Sequence, residues 1–298
     1  MTDAVDRVLR GGVDLHCHSG PSPFPRRVDH LGVARHYAEL GFRAVVAKSH
    51  HHCTAFDIAA LGPYGLSELP LDVFGGIALN NPVGGINPIA VDIALRMGSR
   101  VVWMPTIAAD RHLAFHHEHP DAFPQPSVAL LPEPPIPVLD EGGELLPEVF
   151  DVVELIAGAD AVLASGHLGP AEIVQTFEAA VDAGATRLLL NHPNFIVEAS
   201  YADAERIVAL GAYVEHNLSL YDPDSVFCRW DVRELARWIE QIGPERTVLA
   251  SDLGQAKNPL PADSYRRICT QLLDLGVGED ALRQIVAENP ARLLGLDD

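Results

Sequence analysis

Eight times along this chain a short apolar run rich in β-branched residues, bounded by Gly, Asn or Pro, is followed by a helical pattern. The runs are Val13–His18, Ala44–His50, Val73–Leu79, Arg100–Pro105, Ala161–His167, Arg187–His192, Ala212–His216 and Thr247–Asp252. Most successive starts lie roughly 25–34 residues apart, the length of a strand, a helix and two short loops in a βαβ crossover. Runs that are apolar on both faces suit parallel strands covered on both sides. Eight such units close into a (β/α)8 TIM barrel, one domain over residues 1–298, and 48% hydrophobic residues can fill its core. A doubly wound open sheet is the alternative, and it is disfavoured because no GxGxxG opens the first helix.

The even spacing breaks once, between the fourth and fifth strands, where Ala108–Glu148 forms a Pro-rich insertion. Proline cannot continue a helix, so the stretch reads as a long loop over the C-terminal mouth of the barrel, where such loops act as lids or substrate walls. Its Leu113, Phe115, Phe123, Val128, Leu130 and Leu131 are too apolar for a freely solvated loop and are expected to pack over that mouth. Its His112, His116, His117 and His119 read as solvated loop side chains, with metal binding as the alternative. Farther on, Asp280–Leu294 reads as an amphipathic closure helix that breaks at Asn289-Pro290 and packs through Leu293 and Leu294.

Forty-one acidic residues against 21 basic give a net charge of -20, which repels phosphate backbones and anionic lipids. Nucleic-acid and membrane-surface roles are thereby disfavoured. The opening MTDAVDRVLRGG lacks the basic-then-apolar order of a signal peptide, and no apolar stretch reaches the ~18 residues of a membrane span. Cys17, Cys53, Cys228 and Cys269 are scattered without a CxxC pair, as reduced thiols are. The expectation is a cytoplasmic protein acting on a small molecule, with a homo-oligomer left open.

The chemistry gathers at strand ends. Strand side chains alternate faces, so His16 and His18 point the same way, and in a barrel that way is inward. Buried ring nitrogens without a partner cost about 1–3 kcal/mol each, and a metal ion is an economical partner. His167, His192, Glu215 and Asp252 stand at the ends of the fifth to eighth strands, where barrel active sites lie. Lysine occurs only at Lys48 and Lys257, and the first of these shares a face with His50 at the end of strand two. A buried lysine there is a cation neutralising a carboxylate, a base of lowered pKa, or a carbamate ligand. Imidazole and carboxylate donors suit Zn, Mn or Fe. Gly84-Gly85, within Asn80–Pro88, reads as a tight turn or as a backbone wall near substrate. Arg26 and Arg27 read equally as solvent-exposed charges or as holders of an anionic substrate.

His16-Cys17-His18 on strand one, His167 on strand five, His192 on strand six and Asp252 on strand eight resemble the metal pattern of the amidohydrolase superfamily. The resemblance spans the barrel and rests on strand order. It implies a metal centre, mononuclear or binuclear; with two divalent ions, the HxH pair and Asp252 hold one and His167 and His192 the other. Strand four, Val101–Thr106, departs from the pattern by offering no lysine or carboxylate to bridge the ions. The candidate ligands become His16, His18, Lys48, His50, His167, His192, Glu215 and Asp252, with Lys48 and Asp252 also the candidate catalytic groups. So nitrogen-rich a set favours iron, and Lys48-Ser49-His50 on strand two, the Asn80–Pro88 stretch and the Trp103–Thr106 run resemble a second group, TIM-barrel non-heme diiron oxygenases. Members of that group are expected to act on CoA-linked substrates.

Three functions follow. The first is a diiron monooxygenase that uses O2 to hydroxylate a bulky apolar, CoA-linked acid. The second is a metal-dependent hydrolase in which a metal-bound hydroxide attacks an amide, ester or lactone and Asp252 relays the proton. The third is a non-catalytic metal-binding scaffold.

Overall fold

The computed structural model describes residues 2–123, 125–126 and 128–296. Met1, Asp297 and Asp298, at the edges of the expected domain, and Pro124 and Ser127, in the expected insertion, lie outside the described residues. Eight strands pair in parallel and in chain order: β1 (Val13–Cys17), β2 (Ala44–Ala47), β3 (Asp72–Ala78), β4 (Ser99–Trp103), β5 (Val162–Ala164), β6 (Leu188–Asn191), β7 (Tyr213–Asn217) and β8 (Thr247–Ala250). Cys17 bridges Leu253 in parallel, bringing the two ends of the sheet together as a (β/α)8 barrel.

The strand sequences are apolar on both faces because both faces are covered. Val13, Leu15, Val46, Val101, Val162 and Val248 fill the barrel interior, while Val45, Val102, Leu163 and Leu249 pack outward against the helices. Helix starts are set by local chemistry. Asp29, Asn87, Ser200 and Asp231 accept hydrogen bonds from first-turn amides, and proline occupies the first turn of the helices Pro147–Gly158, Pro170–Asp182 and Pro261–Asp274.

Two local expectations are corrected. The first part of the stretch between β4 and β5 is a helix, Asp110–Glu118, because its prolines begin only at Pro120. Near the C-terminus the helix does not break at Asn289-Pro290. A π-helical turn, Gln284–Glu288, precedes Asn289–Leu293, and Pro290 sits where its missing amide is tolerated. Leu293 and Leu294 join the inner core, as expected of a closure element. Among the described residues no helix is long and apolar enough to cross a membrane.

Candidate metal centre

Strict alternation along β1 would carry the inward phase of Val13 and Leu15 on to Cys17, leaving His16 outside the barrel. The register against β2 shifts between Asp14 and Cys17, and this irregularity turns the strand. Cys17 packs outward among the helices, and His16 and His18 line the cavity at the mouth. Backbone bonds then fasten β1 to the end of β8: Asp252 N–H donates to His16 O at 2.7 Å, and His18 N–H to Leu253 O at 2.8 Å. The buried Asp14 carboxylate accepts from the His16 and Ser251 amides and from the Tyr37 hydroxyl.

The seam assembles three metal-binding side chains. His16, His18 and Asp252 offer donor atoms that lie within 4.8 Å of one another. Asp252 Oδ1 is 3.3 Å from His16 Nε2 and 3.1 Å from His18 Nε2. Asp252 has φ 48° and His192 φ 22°, left-handed conformations costly for residues other than glycine and often found at functional sites. Gly166, at φ 59°, delivers His167 to the mouth, and a Cβ there would lie 2.3 Å from the Met104 carbonyl oxygen.

The other sequence candidates gather around this trio. His167 and His192 have ring centroids 4.9 Å apart, and His16 and His192 6.3 Å. His50 lies 4.7 Å from His18, ring to ring. Lys48 Nζ is 2.9 Å from His16 Nε2 and 5.1 Å from the centre of the Trp103 ring. Glu215 stands behind His16, with Oε1 accepting from His16 Nδ1 at 2.8 Å and from Asn191 Nδ2 at 3.0 Å. Outer partners hold the rings through Nδ1: Glu215 for His16, Thr106 for His50, and the Phe195 carbonyl for His192. Such bonds fix the tautomer and direct Nε2 at a ligand.

Burial shapes the charges. It lowers the pKa of His16, His18, His50, His167 and His192, keeping these imidazoles in the neutral form that ligates metals. Burial also drops Lys48 to about 8, against the pull of Asp252 and Glu215, and lifts Glu215 to about 7. Neutral imidazoles facing carboxylate oxygen, together with a buried Glu215 Oε2 that has no hydrogen-bond partner, make a donor set that fits divalent cations.

A cavity of about 590 Å³ lies over these residues. Leu113, Phe123, Leu130 and Leu131 from the stretch after β4 contribute to its lining, although Leu131 remains 88% exposed and Val128 75%. His112, expected to be solvated, is instead buried on the helix Asp110–Glu118, its Nδ1 2.9 Å from His167 Nδ1. A helical period over Asp110–Glu118 is the signal that would have found it. Asn80 was also missed as a support: it accepts from the Thr106 and Ala108 amides and donates to the His50 carbonyl and Thr106 Oγ1. Gly84 and Gly85 form a turn with positive φ, and the cavity lining does not include them.

Known structures share this barrel. An amidohydrolase from Pseudomonas aeruginosa superposes with a TM-score of 0.63 at 12% identity, covering 99% of this chain and 98% of its own. An organophosphorus hydrolase from Deinococcus radiodurans gives 0.58 at 14% identity, with 97% and 94% covered. A lactonase from Listeria monocytogenes gives 0.58 at 11% identity, with 97% and 95% covered. At these identities the likeness is one of fold. A search of curated proteins returns no match. Residues 11–215 match a family of unknown function, DUF6282, and with more than half of its length matched the chain belongs to that family.

Proposed function

We propose that this protein is a metal-dependent hydrolase of an ester, lactone or amide. The observation that carries the reading is the convergence of His16, His18 and Asp252 under an apolar cavity at the barrel mouth, with His167 and His192 beside them. The resemblance in strand order and the barrels of an amidohydrolase, an organophosphorus hydrolase and a lactonase support it.

His16, His18 and Asp252 would hold one divalent ion and His167 and His192 a second, with Lys48 and His50 at the edge of the site. A divalent ion bound there supplies Lewis acidity and lowers the pKa of water. The remaining work falls to the chain. Glu215 holds the His16 ring through Nδ1. Asp252 Oδ2, 3.4 Å from the Ser219 hydroxyl, takes the proton of the attacking water as its oxygen bonds to the carbonyl carbon. The same proton passes to the leaving oxygen or nitrogen as that bond breaks. Lys48 Nζ stands 2.9 Å from His16 Nε2, its ammonium weakened by burial. Apolar walls seat the substrate body and limit water at the centre.

The test is to chelate the protein, reload it with zinc, manganese or ferrous iron, and assay aryl esters, lactones, phosphotriesters and amides with and without oxygen. Metal-restored turnover at equal rates in both atmospheres is expected. Turnover that requires and consumes oxygen would assign the nitrogen-rich site to the diiron oxygenase reading instead.

A further inference from the structure

Arg26 is an arginine of the cavity wall. It stands in the loop after β1, pinned across the mouth by an antiparallel bridge to Gln255, with the flanking bonds Arg27 N–H to Gly254 O at 2.8 Å and Ala256 N–H to Pro25 O at 3.0 Å. Its stem runs over Gly20, where a Cβ would lie 3.4 Å from Arg26 Cβ. The guanidinium lines the cavity and acts electrostatically on His18, His50 and His51. No hydrogen bond or ion pair to this guanidinium is found among the described residues, and its buried Nε has no partner.

Three other partly buried arginines are paired with carboxylates. Arg267 meets Asp222 at 2.5 Å, Arg187 meets Asp160 at 2.6 Å, and Arg111 meets Glu198 at 2.5 Å. The neighbouring Arg27 donates to the Asn258 carbonyl at 2.7 Å. A desolvated cation without hydrogen-bonded anions is expensive, and a chain with almost twice as many acidic as basic residues has no shortage of carboxylates to supply one. Of the acidic residues of the lining, Asp252 acts on Arg26 through space without a hydrogen bond, and Glu133 is engaged by Asn81 Nδ2 at 3.2 Å. The planar guanidinium fork matches a carboxylate or phosphate two bonds at a time.

We infer that Arg26 is an anion-binding residue of this cavity, so that the substrate is an apolar molecule carrying a carboxylate or phosphate group. That this molecule is a substrate rests on the hydrolase reading; the anion site does not. The apolar body lies against the cavity walls and the anion on Arg26, which positions the molecule over the strand-end histidines. Burial lowers the guanidinium pKa to about 10, so Arg26 keeps its charge at neutral pH.

The test titrates phenylacetate, phenyl phosphate and the neutral phenylacetamide into metal-loaded and chelated protein by calorimetry. Wild type should bind at least one anion more tightly than the amide by about tenfold or more, the effect of a charge-assisted bond, with and without metal. The preferred anion tells carboxylate from phosphate. Arg26→Gln should abolish the preference while leaving amide affinity and metal content unchanged. Arg26→Lys, which keeps charge without the fork, should retain only part of it and serves if the glutamine variant does not fold. Equal binding of all probes by wild type, a preference that survives in Arg26→Gln, or one that vanishes on chelation would overturn the inference. An Arg26-dependent preference in a protein that hydrolyses none of the ester, lactone and amide panel would retire the hydrolase reading and leave the anion site standing.

Discussion

Asp252 meets His16 twice: its amide donates to the His16 carbonyl at 2.7 Å, and its carboxylate Oδ1 lies 3.3 Å from His16 Nε2. The first contact closes the barrel and the second belongs to the candidate metal centre, so removing the side chain function separates the two. Asp252→Asn tolerates the left-handed backbone at φ 48° and keeps the main-chain bond. It should fold with little change in thermal midpoint and lose hydrolysis by about 10²–10⁴-fold. His16→Ala and His18→Ala should lose metal and activity while circular dichroism shows an intact barrel. Full metal stoichiometry in both histidine variants would reject the ligand assignment.

Much of the barrel was legible because a parallel strand covered on both faces leaves a continuous apolar run, and the eight runs coincide with β1 to β8 within a few residues. The common direction of His16 and His18 was also legible. Their expected inward aim is met as well, but through an irregularity between Asp14 and Cys17 that no spacing announces rather than through strict alternation. Glu215 was legible as an inward carboxylate, but its placement behind His16 is a matter of side-chain distance. His112 escaped because a histidine beside a Pro-rich stretch reads as solvated, whereas packing of its helix against the mouth buries it. Arg26 and Arg27 are indistinguishable as neighbours in sequence and separate only when one finds the Asn258 carbonyl and the other the cavity.

Lys48 offers a test that charge alone cannot pass. Its Nζ is 2.9 Å from His16 Nε2, and burial brings its pKa to about 8, so proton exchange near neutrality is available to it. Lys48→Arg keeps the charge but cannot release a proton in that range or form a carbamate. Turnover should fall by about 10²-fold or more with the fold intact. Near-normal turnover in a steady-state assay would reduce Lys48 to charge balance.

Acid should unfold the metal-free protein readily. His16, His18, His50, His167 and His192 have folded-state pKa values below the ordinary 6.5, and those of His112 and His216 are pushed down to about 3. The unfolded chain therefore takes up protons first as pH falls through 6.5, and each such imidazole removes about 1.4 kcal/mol per pH unit until its folded value is reached. Asp14 and Glu215, raised to about 6 and about 7, act in the opposite direction over the same window and are outnumbered. Urea midpoints of chelated protein should drop steeply from about pH 7 to pH 5. A flat profile would contradict the neutral, buried histidine cluster.

The stretch after β4 should select substrate without supporting the fold. Replacing His116–Pro134 by a short Gly/Ser linker removes Phe123, Leu130 and Leu131 from the cavity wall. Loop closure changes by only ~0.6 kcal/mol per doubling of length, so stability and metal content should hold while KM rises about tenfold or more. Unchanged efficiency would move the substrate wall elsewhere.

That water, delivered at the His16–His18–Asp252 centre, is the oxygen donor of the proposed reaction is the point on which the other predictions turn. It is tested most directly by running turnover of an ester or lactone in water enriched in heavy oxygen under ordinary dioxygen, then the reverse, and weighing the product acid. Hydrolysis predicts one heavy oxygen atom from water in each new carboxylate and none from dioxygen. A product that takes its new oxygen from labelled dioxygen would contradict the account.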